Sequence, residues 1–172
     1  DVLEVYKNNV LYVPKEGKTI ILCRCGCLGH FIFDRRFPQA KNVQFICHQK
    51  IRFDIFLQKL NNPRGTPKLD IIKVLREVKA WDLHPLMRQQ EYFPWLKART
   101  FDFAFMDSSA DLFDRKFLHK EEGWSFCCHG TDVEQTKQFK EIYSLEGFLA
   151  IEKMEETYLE FFAWFKKTYP GK

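Results

Sequence analysis

The chain has 172 residues, of which 45% are hydrophobic and 29% are charged. This balance excludes a disordered chain, and the length suits one domain with a sizeable core rather than two domains. Lysine and arginine total 27 against 23 aspartates and glutamates, a formal net charge of +4. An excess this small and scattered gives no reason to expect a nucleic-acid-binding surface. We therefore predict a single domain over residues 1–172 that does not bind nucleic acid.

The hydrophobic residues occur in short runs along the chain. None approaches the roughly 18 consecutive apolar residues that a membrane-spanning helix needs, and no signal peptide is recognisable. The six cysteines lie where buried strands are expected rather than in loops. This placement favours reduced thiols and a cytoplasmic location over a disulfide framework. Because the chain opens on Asp1, we expect a processed chain or part of a longer one.

The predicted elements alternate between strand and helix. Residues 1–14 form either an extra edge strand or the remnant of a preceding module. Beyond them, apolar β-rich runs predict strands, and helical spacing of apolar residues predicts helices. The predicted strands cover residues 19–25, 42–48, 100–106 and 124–128, and the predicted helices cover 28–37, 51–60, 68–79, 132–143 and 145–169. This alternation predicts an α/β fold, a three-layer sandwich around a mainly parallel sheet of about five strands.

Local patterns add detail to three of these elements. Thr131 and Glu134 form a capping box at the start of the helix at 132–143. The final helix carries an aromatic stripe that favours core packing, and outward rings such as Trp164 are candidates for contact with a partner domain. In the strand at 100–106, alternation predicts one face made of Phe101, Phe103 and Phe105.

Three segments place reactive side chains at predicted strand ends, where open α/β sheets bind ligands. The first contains Cys27, the second runs from Asp107 to Asp111, and the third contains His129. A helix that begins just after Cys27 would favour its thiolate form. Together the segments predict a cysteine nucleophile, a histidine base and an aspartate, Asp107 or Asp111, that orients the imidazole.

Each assignment has a structural alternative. Asp107 is equally well explained as a cap for the helix that follows it, and His129 as a polar residue ahead of the Thr131 cap. His84 is a separate candidate base, although Pro85 at a helix start also explains that local sequence.

A metal site is the competing use of the same groups. The available ligands would be Cys25, Cys27, Cys127, Cys128 and His129. Their spacing departs from the Cys-x2–4-Cys knuckles of common zinc modules, so we predict no metal.

The run from Ile20 to Phe31 resembles the opening of SGNH/GDSL-like families whose first block reads Gly-Ser-Cys or Gly-Asn-Cys. These families include acyltransferases and hydrolases of polysaccharide loci, the capsule-associated type among them, in which cysteine takes the place of the usual serine. Cys27 falls on that cysteine, and the run 101–108 is similar to a later strand that ends in aspartate. The chain departs from the pattern at Cys25, where the block has its first glycine, and no C-terminal Asp-x-x-His follows.

The resemblance implies an SGNH- or flavodoxin-like fold and acyl transfer to or from a carbohydrate or similar hydroxyl acceptor. Cys27 would be the nucleophile and His129 the base. The substrate would be a small molecule or a glycan, and acyl-CoA is a candidate donor although no dedicated CoA motif is present. The alternative is a non-catalytic binding domain of a larger protein that docks through its aromatic C-terminal helix.

Overall fold

The structure is a computed structural model that describes residues 16–24, 42–46, 51–61, 100–130 and 133–172. Within these ranges it contains both helices and strands, which confirms the predicted α/β class. The elements in chain order are β1 (Thr19–Arg24), β2 (Val43–Ile46), α1 (Phe53–Asn61), β3 (Phe103–Met106), α2 (Ser109–Phe113), β4 (Arg115–His119), β5 (Ser125–Cys128), α3 (Lys137–Ile142), β6 (Tyr143–Gly147) and α4 (Ile151–Thr168).

The strands form two small sheets. In the parallel sheet β1 is the central strand, in the order β2–β1–β3, and its register pairs Arg24 with Met106. In the antiparallel sheet β4 is the central strand, in the order β5–β4–β6. Because β1 and β3 are parallel and end at paired residues, their carboxyl ends lie at the same edge of the sheet.

Helices α1 and α4 pack on one face of the parallel sheet. Leu22 of β1 faces this core and is fully buried. Phe53 of α1 stacks on Phe161 of α4, with ring centroids 3.9 Å apart. Asp54 in the first turn of α1 and Lys59 in its last turn complement the helix dipole. The aromatic stripe predicted for the final helix is therefore a core stripe, as Phe161 demonstrates.

Strand β5 is buried on both faces and joins two cores. Cys127 belongs to the core beneath the parallel sheet, and Ser125 on the same face hydrogen bonds to Gln58 of α1. Phe126 and Cys128 point the other way, into the core of the antiparallel sheet. A strand with apolar side chains on both faces explains the near-continuous apolar run in this part of the sequence.

The prediction that residues 124–128 join a mainly parallel sheet is wrong. This segment does form a strand, β5, but it pairs antiparallel with β4, for which the sequence pattern predicts no element. A tight turn connects the two strands, with Gly123 at a φ of 72° and its N–H donating to the carbonyl of His119. A connection this short permits only antiparallel pairing.

The start of α3 also differs from the prediction. Thr136 caps this helix, because its hydroxyl accepts a hydrogen bond of 3.1 Å from the N–H of Phe139. The predicted cap, Thr131, lies outside the described residues, and Glu134 precedes the helix. The capping-box pattern therefore places the helix too early in the chain.

The last predicted helix begins too early as well. Residues 143–147 form β6, which pairs with β4, and α4 begins at Ile151. Gly147, the last residue of β6, has a φ of 83°, in the left-handed region of backbone conformation. Pairing with β4, which lies far from β6 in sequence, stabilises a strand that local spacing does not indicate.

Two aromatic side chains lie elsewhere than predicted. Phe101 precedes β3 and packs 5.0 Å from the ring of Tyr169, whereas Phe103, the first residue of the strand, is 65% exposed. Trp164 packs 5.1 Å from the ring of Phe56 and so points into the core rather than outward. The outward apolar residues of α4 are instead Ile151, Leu159 and Phe162.

Several predictions fall on residues that the structure does not describe. These are the edge strand at 1–14 and the helices at 28–37 and 68–79. Among the helices that it does describe, none has the length and apolar character needed to cross a membrane.

Candidate functional site

The predicted site residues Asp107, Asp111 and His129 are described, whereas Cys27 and His84 lie outside the described residues. The two aspartates lie beyond the carboxyl end of β3, at the edge of the parallel sheet. His129 follows β5, which belongs to the other sheet. Because α2 contacts β5, the segment that carries both aspartates packs against the strand that leads to His129.

Asp107 is a half-buried residue at the junction of β3 and α2. Its N–H donates to the carbonyl of Arg24 at 3.0 Å, which extends the pairing of β1 and β3 by one residue. Its Oδ1 accepts a hydrogen bond of 3.0 Å from the N–H of Ser109, the first residue of α2. Asp107 therefore supports the start of α2, as its alternative assignment predicts, and it also lies at the sheet edge that the catalytic prediction requires.

Asp111 is fully buried and forms an ion pair with Arg24. The distance from Oδ2 to the Arg24 Nη2 is 2.7 Å, and the two side chains are 0% and 3% exposed. Oδ1 accepts a hydrogen bond from the N–H of Phe53 at 2.8 Å, and Oδ2 accepts one from the hydroxyl of Tyr158 at 3.1 Å. Both carboxylate oxygens are thus engaged by donors from β1, α1 and α4.

The guanidinium of Arg24 contacts three other groups at the same edge. Nη1 donates to the carbonyl of Asp107 at 2.5 Å, and Nε donates to the carbonyl of Ile51 at 2.9 Å. Its central carbon lies 3.5 Å from the centre of the Phe53 ring, within the range of a cation–π contact. A planar fork of N–H donors suits this arrangement, and the hydrogen bonds compensate for removing the charge from water.

Tyr158 completes this group of side chains. Burial raises the pKa of its phenol to about 12, and the neighbouring negative charge of Asp111 acts in the same direction. The hydroxyl therefore stays protonated at neutral pH and donates its proton to Asp111. Tyr158 fixes the carboxylate rather than acting as a base.

His129 is an exposed residue at the carboxyl end of β5. The next residue, Gly130, lies close to Arg115 of β4, because a Cβ at Gly130 would be 3.5 Å from the central carbon of that guanidinium. The guanidinium of Arg115 also lies 5.1 Å from the ring of Phe148. His129 thus belongs to a solvent-exposed part of the molecule, and its chain neighbour Gly130 lies next to Arg115.

A second buried polar group joins α1 to the antiparallel sheet. Arg52 forms two hydrogen bonds to the carboxylate of Asp54, at 2.9 and 2.7 Å, and donates to the carbonyl of Gly147 at 2.7 Å. Its backbone N–H donates to the sulfur of Cys127 at 3.3 Å. Arg52 thereby connects the start of α1 to the ends of β5 and β6.

Two titratable groups in this region have strongly altered acidity. Burial lowers the pKa of Lys59 from 10.5 to about 8, and the opposing effect of Cys127 is smaller. Burial, followed by the negative charge of Asp114, raises the pKa of the Cys127 thiol well above its usual range. Cys127 is therefore an inert thiol at neutral pH, unlike the thiolate that a nucleophile requires.

The described residues bear on two of the cysteines proposed for a zinc site, Cys127 and Cys128. Cys127 and Cys128 point into different cores, so both sulfurs cannot bind one ion. In the described part of the chain, no three histidine, cysteine, aspartate or glutamate side chains are grouped to hold a metal. Cys25 and Cys27 lie outside that part.

Sequence reasoning missed Arg24, Arg52, Lys59 and Tyr158. Arg24 stands alone as a charge in an apolar strand, a pattern that predicts a buried ion pair when a carboxylate is available. Arg52 has its carboxylate partner two residues away, which was a weaker signal. Lys59 and Tyr158 carry no sequence signal that separates them from surface and core residues.

Comparisons with known proteins found no family model, no curated protein and no solved structure that matches this chain.

Proposed function

We propose that this protein transfers an acyl group to or from a carbohydrate or similar hydroxyl acceptor, with Cys27 as nucleophile and His129 as base. The observation that carries the proposal is the pairing of Arg24 with Met106, which brings the carboxyl ends of β1 and β3 to one edge. Cys27 follows β1 by three residues, a reach of at most about 10 Å, and Asp107 follows β3 directly.

The contacts of the two aspartates favour different roles. Asp111 has both oxygens engaged with Arg24, Phe53 and Tyr158, and its side chain is 0% exposed. Asp107 is half-buried and lies at the exit of β3. We therefore assign the orienting role to Asp107 and a supporting role to Asp111.

In the proposed reaction, His129 accepts the proton of the Cys27 thiol as the sulfur attacks the acyl carbonyl. Backbone N–H groups that open the helix predicted after Cys27 would stabilise the oxyanion. The bond to the leaving group breaks, His129 returns the proton to that group, and a thioester remains on Cys27. The acceptor hydroxyl then attacks the thioester while His129 takes its proton, and the thiol is regenerated. An ester or an acyl-CoA thioester would be the donor.

The fold proposed with this function is a three-layer sandwich. Helices α1 and α4 cover the face of β1 that carries Leu22. Cys23, which points to the opposite face, is 0% exposed, so that face is covered as well. Covering on both faces is typical of parallel sheets and supports the layered arrangement.

A non-catalytic binding domain is the second candidate, and the exposed apolar side chains favour it. Ile151 is 79% exposed and Phe148 is 53% exposed, three residues apart in the sequence where β6 leads into α4. Apolar groups clustered on a surface are typical of protein contacts. The C-terminal helix would then contact a partner domain through residues such as these rather than through Trp164.

Acylation of the protein by an activated ester tests the proposal. We expect the native protein, incubated with p-nitrophenyl acetate or acetyl-CoA, to gain the mass of one acetyl group on the peptide that contains Cys27. Cys27→Ala should abolish the adduct, and His129→Ala should slow its formation. Cys128→Ala, which removes a buried thiol, is the matched control and should leave acylation unchanged. Equal acylation of the native protein and Cys27→Ala would favour the binding domain.

A further inference from the structure

The outward face of α4 changes in charge along the helix. Its first half carries the exposed residues Glu152, Glu155 and Glu156, and its last turn carries the exposed residues Lys166 and Lys167. In the part of the chain that the structure describes, none of these five side chains takes part in an ion pair. The helix dipole favours charges in the first and last turns only, so it does not account for Glu155 and Glu156 in the second turn.

Exposed apolar side chains occupy the middle of the same face. Leu159 is 65% exposed, Phe162 is 43% exposed, and Ala163 is exposed as well. Residues three and four apart are neighbours on the surface of a helix, so these three side chains form one patch. The core side of α4, which carries Phe161 and Phe165, faces the other way. An apolar patch between charged ends is typical of a contact surface.

The charges are placed evenly about the centre of this patch. Glu152 lies seven residues before Leu159, and Lys166 lies seven residues after it. Seven residues make about two turns, so the three side chains lie along one stripe, with each charge about 10 Å from Leu159 along the axis. When a second copy of the helix is laid antiparallel on the first, with the two Leu159 side chains in contact, Glu152 of each copy lies opposite Lys166 of the other. A parallel pair would place like charges together, so the stripe matches itself in one orientation only.

We propose that α4 is a self-association surface, through which two copies of this chain form an antiparallel, twofold-symmetric dimer. Leu159, Phe162 and Ala163 form the apolar centre of the contact, and two pairs of Glu152 with Lys166 form its ends. A twofold interface uses the same patch on both subunits, which is why a patch complementary to itself fits a second copy. The inference goes beyond the proposed acyl transfer and does not depend on it, so either can fail alone.

Sedimentation velocity over a range of protein concentrations tests the contact. One helix on one helix is smaller than a standard interface, so we expect the native protein to dimerise at a concentration on the order of 10–100 µM. Leu159→Lys places two like charges at the twofold axis and should leave the protein monomeric. Because the side chain of Leu159 is 65% exposed, this variant should fold, and circular dichroism spectra check that it does.

Substitutions that reverse a charge test the orientation. Lys166→Glu and Glu152→Lys each place like charges opposite one another twice in the dimer, so each should weaken self-association by roughly tenfold or more. In an equimolar mixture of these two variants opposite charges face each other again, and we expect a mixed dimer of nearly native affinity. The control is Lys153→Glu, which makes the same charge change about 120° around the helix from Leu159 and should alter the affinity by no more than about twofold.

Three outcomes would overturn the inference. A native protein that stays monomeric up to about 500 µM excludes the dimer, even a weak one. A dimer that Lys153→Glu weakens as much as Lys166→Glu, or that the mixture of charge variants does not restore, is held by some other contact. A monomeric native protein in which Leu159→Lys lowers the free energy of unfolding would mean that another segment of the same chain covers this face. None of these results bears on acylation of Cys27, which tests the proposed function separately.

Discussion

At the scale of single residues, Arg24 and Asp111 form a charge pair at the edge of the parallel sheet, where water is excluded. Burying two charges is costly, and the additional bonds to Ile51, Phe53 and Tyr158 offset that cost. Removing one partner leaves the other charge buried without compensation. The stability of this edge therefore depends on both members being present.

Asp111→Asn is expected to lower the free energy of unfolding by about 3–5 kcal/mol, because it leaves the Arg24 charge buried. Asp54→Asn is the matched control, since Asp54 also pairs with a buried arginine but its side chain is 24% exposed. Arg52 is as buried as Arg24, but water reaches the Asp54 end of the pair and can bind the guanidinium there, so we expect a smaller loss of about 1–2 kcal/mol. Urea unfolding measures both values, and equal losses would contradict the importance assigned to the buried pair.

Lys59 makes stability depend on pH. Its pKa is lowered to about 8 in the folded protein, against 10.5 in the unfolded chain, so between these values the unfolded chain binds more protons and stability rises with pH. From pH 7 to 9.5 the contribution amounts to about 2 kcal/mol. Cys127 has the opposite effect at a pH above 9.0, the ordinary pKa of a thiol. Because burial raises the pKa of Cys127 in the folded protein, its contribution makes stability fall as the pH rises.

The contribution of Lys59 is isolated by comparison with Lys59→Met. We expect the stability of the native protein relative to this variant to increase by about 2 kcal/mol between pH 7 and 9.5, measured by urea unfolding at each pH. Cys127 is present in both proteins, so its effect cancels. A difference that is independent of pH would mean that Lys59 is not desolvated.

At the scale of elements, the sequence patterns predicted those that depend on local periodicity. Strands β1, β2 and β3 and helix α1 occur where apolar runs and helical spacing place them, with slightly different ends. β4 and β6 were not predicted because they are stabilised by pairing with each other across the intervening hairpin and α3. Arg115 and Lys116 make the β4 sequence polar, and Glu146 does the same for β6.

The cap of α3 provides a test at this scale. Thr136→Ala removes the hydroxyl that accepts the hydrogen bond from the N–H of Phe139, and we expect a loss of about 1 kcal/mol. Thr136→Ser keeps the hydroxyl and should restore most of the stability. Thermal or urea unfolding checks both values. Equal losses in the two variants would indicate that the Thr136 hydroxyl does not cap α3.

At the scale of the whole molecule, β5 connects the two cores. Cys127 packs under the parallel sheet, Phe126 packs in the antiparallel sheet, and Arg52 bonds to Gly147 across the same junction. A strand that contributes to both cores cannot leave one without exposing apolar surface of the other. The described parts of the chain should therefore unfold as one cooperative unit.

Tryptophan fluorescence tests this coupling, because Trp164 lies against the first core and Trp124 lies in the second. In each test variant only one of these two tryptophans is kept, and every other tryptophan is replaced by phenylalanine. We expect the denaturant midpoint from the fluorescence of the remaining tryptophan to equal the midpoint from the circular dichroism of the same variant. Separate midpoints for the two probes would show that the cores are independent.

The candidate site was predictable only in outline. Strand ends followed by Cys27 and by Asp107 could be located from the sequence, because parallel strands carry their carboxyl ends to one edge. The separate role of Asp111 could not, since its burial depends on Arg24 and Tyr158, which come from distant parts of the chain. The position of His129, directly after a strand that pairs antiparallel with β4, was also beyond local patterns.

The relative reactivity of the six cysteines tests the central claim most directly. Cys23, Cys127 and Cys128 are buried, so they serve as slow internal standards in the native protein. Brief alkylation near neutral pH, followed by peptide mass analysis, gives a rate for each thiol. We predict that Cys27 reacts far faster than the other five and that His129→Ala reduces this rate. Labelling of Cys27 at the rate of the buried thiols would contradict its assignment as the nucleophile.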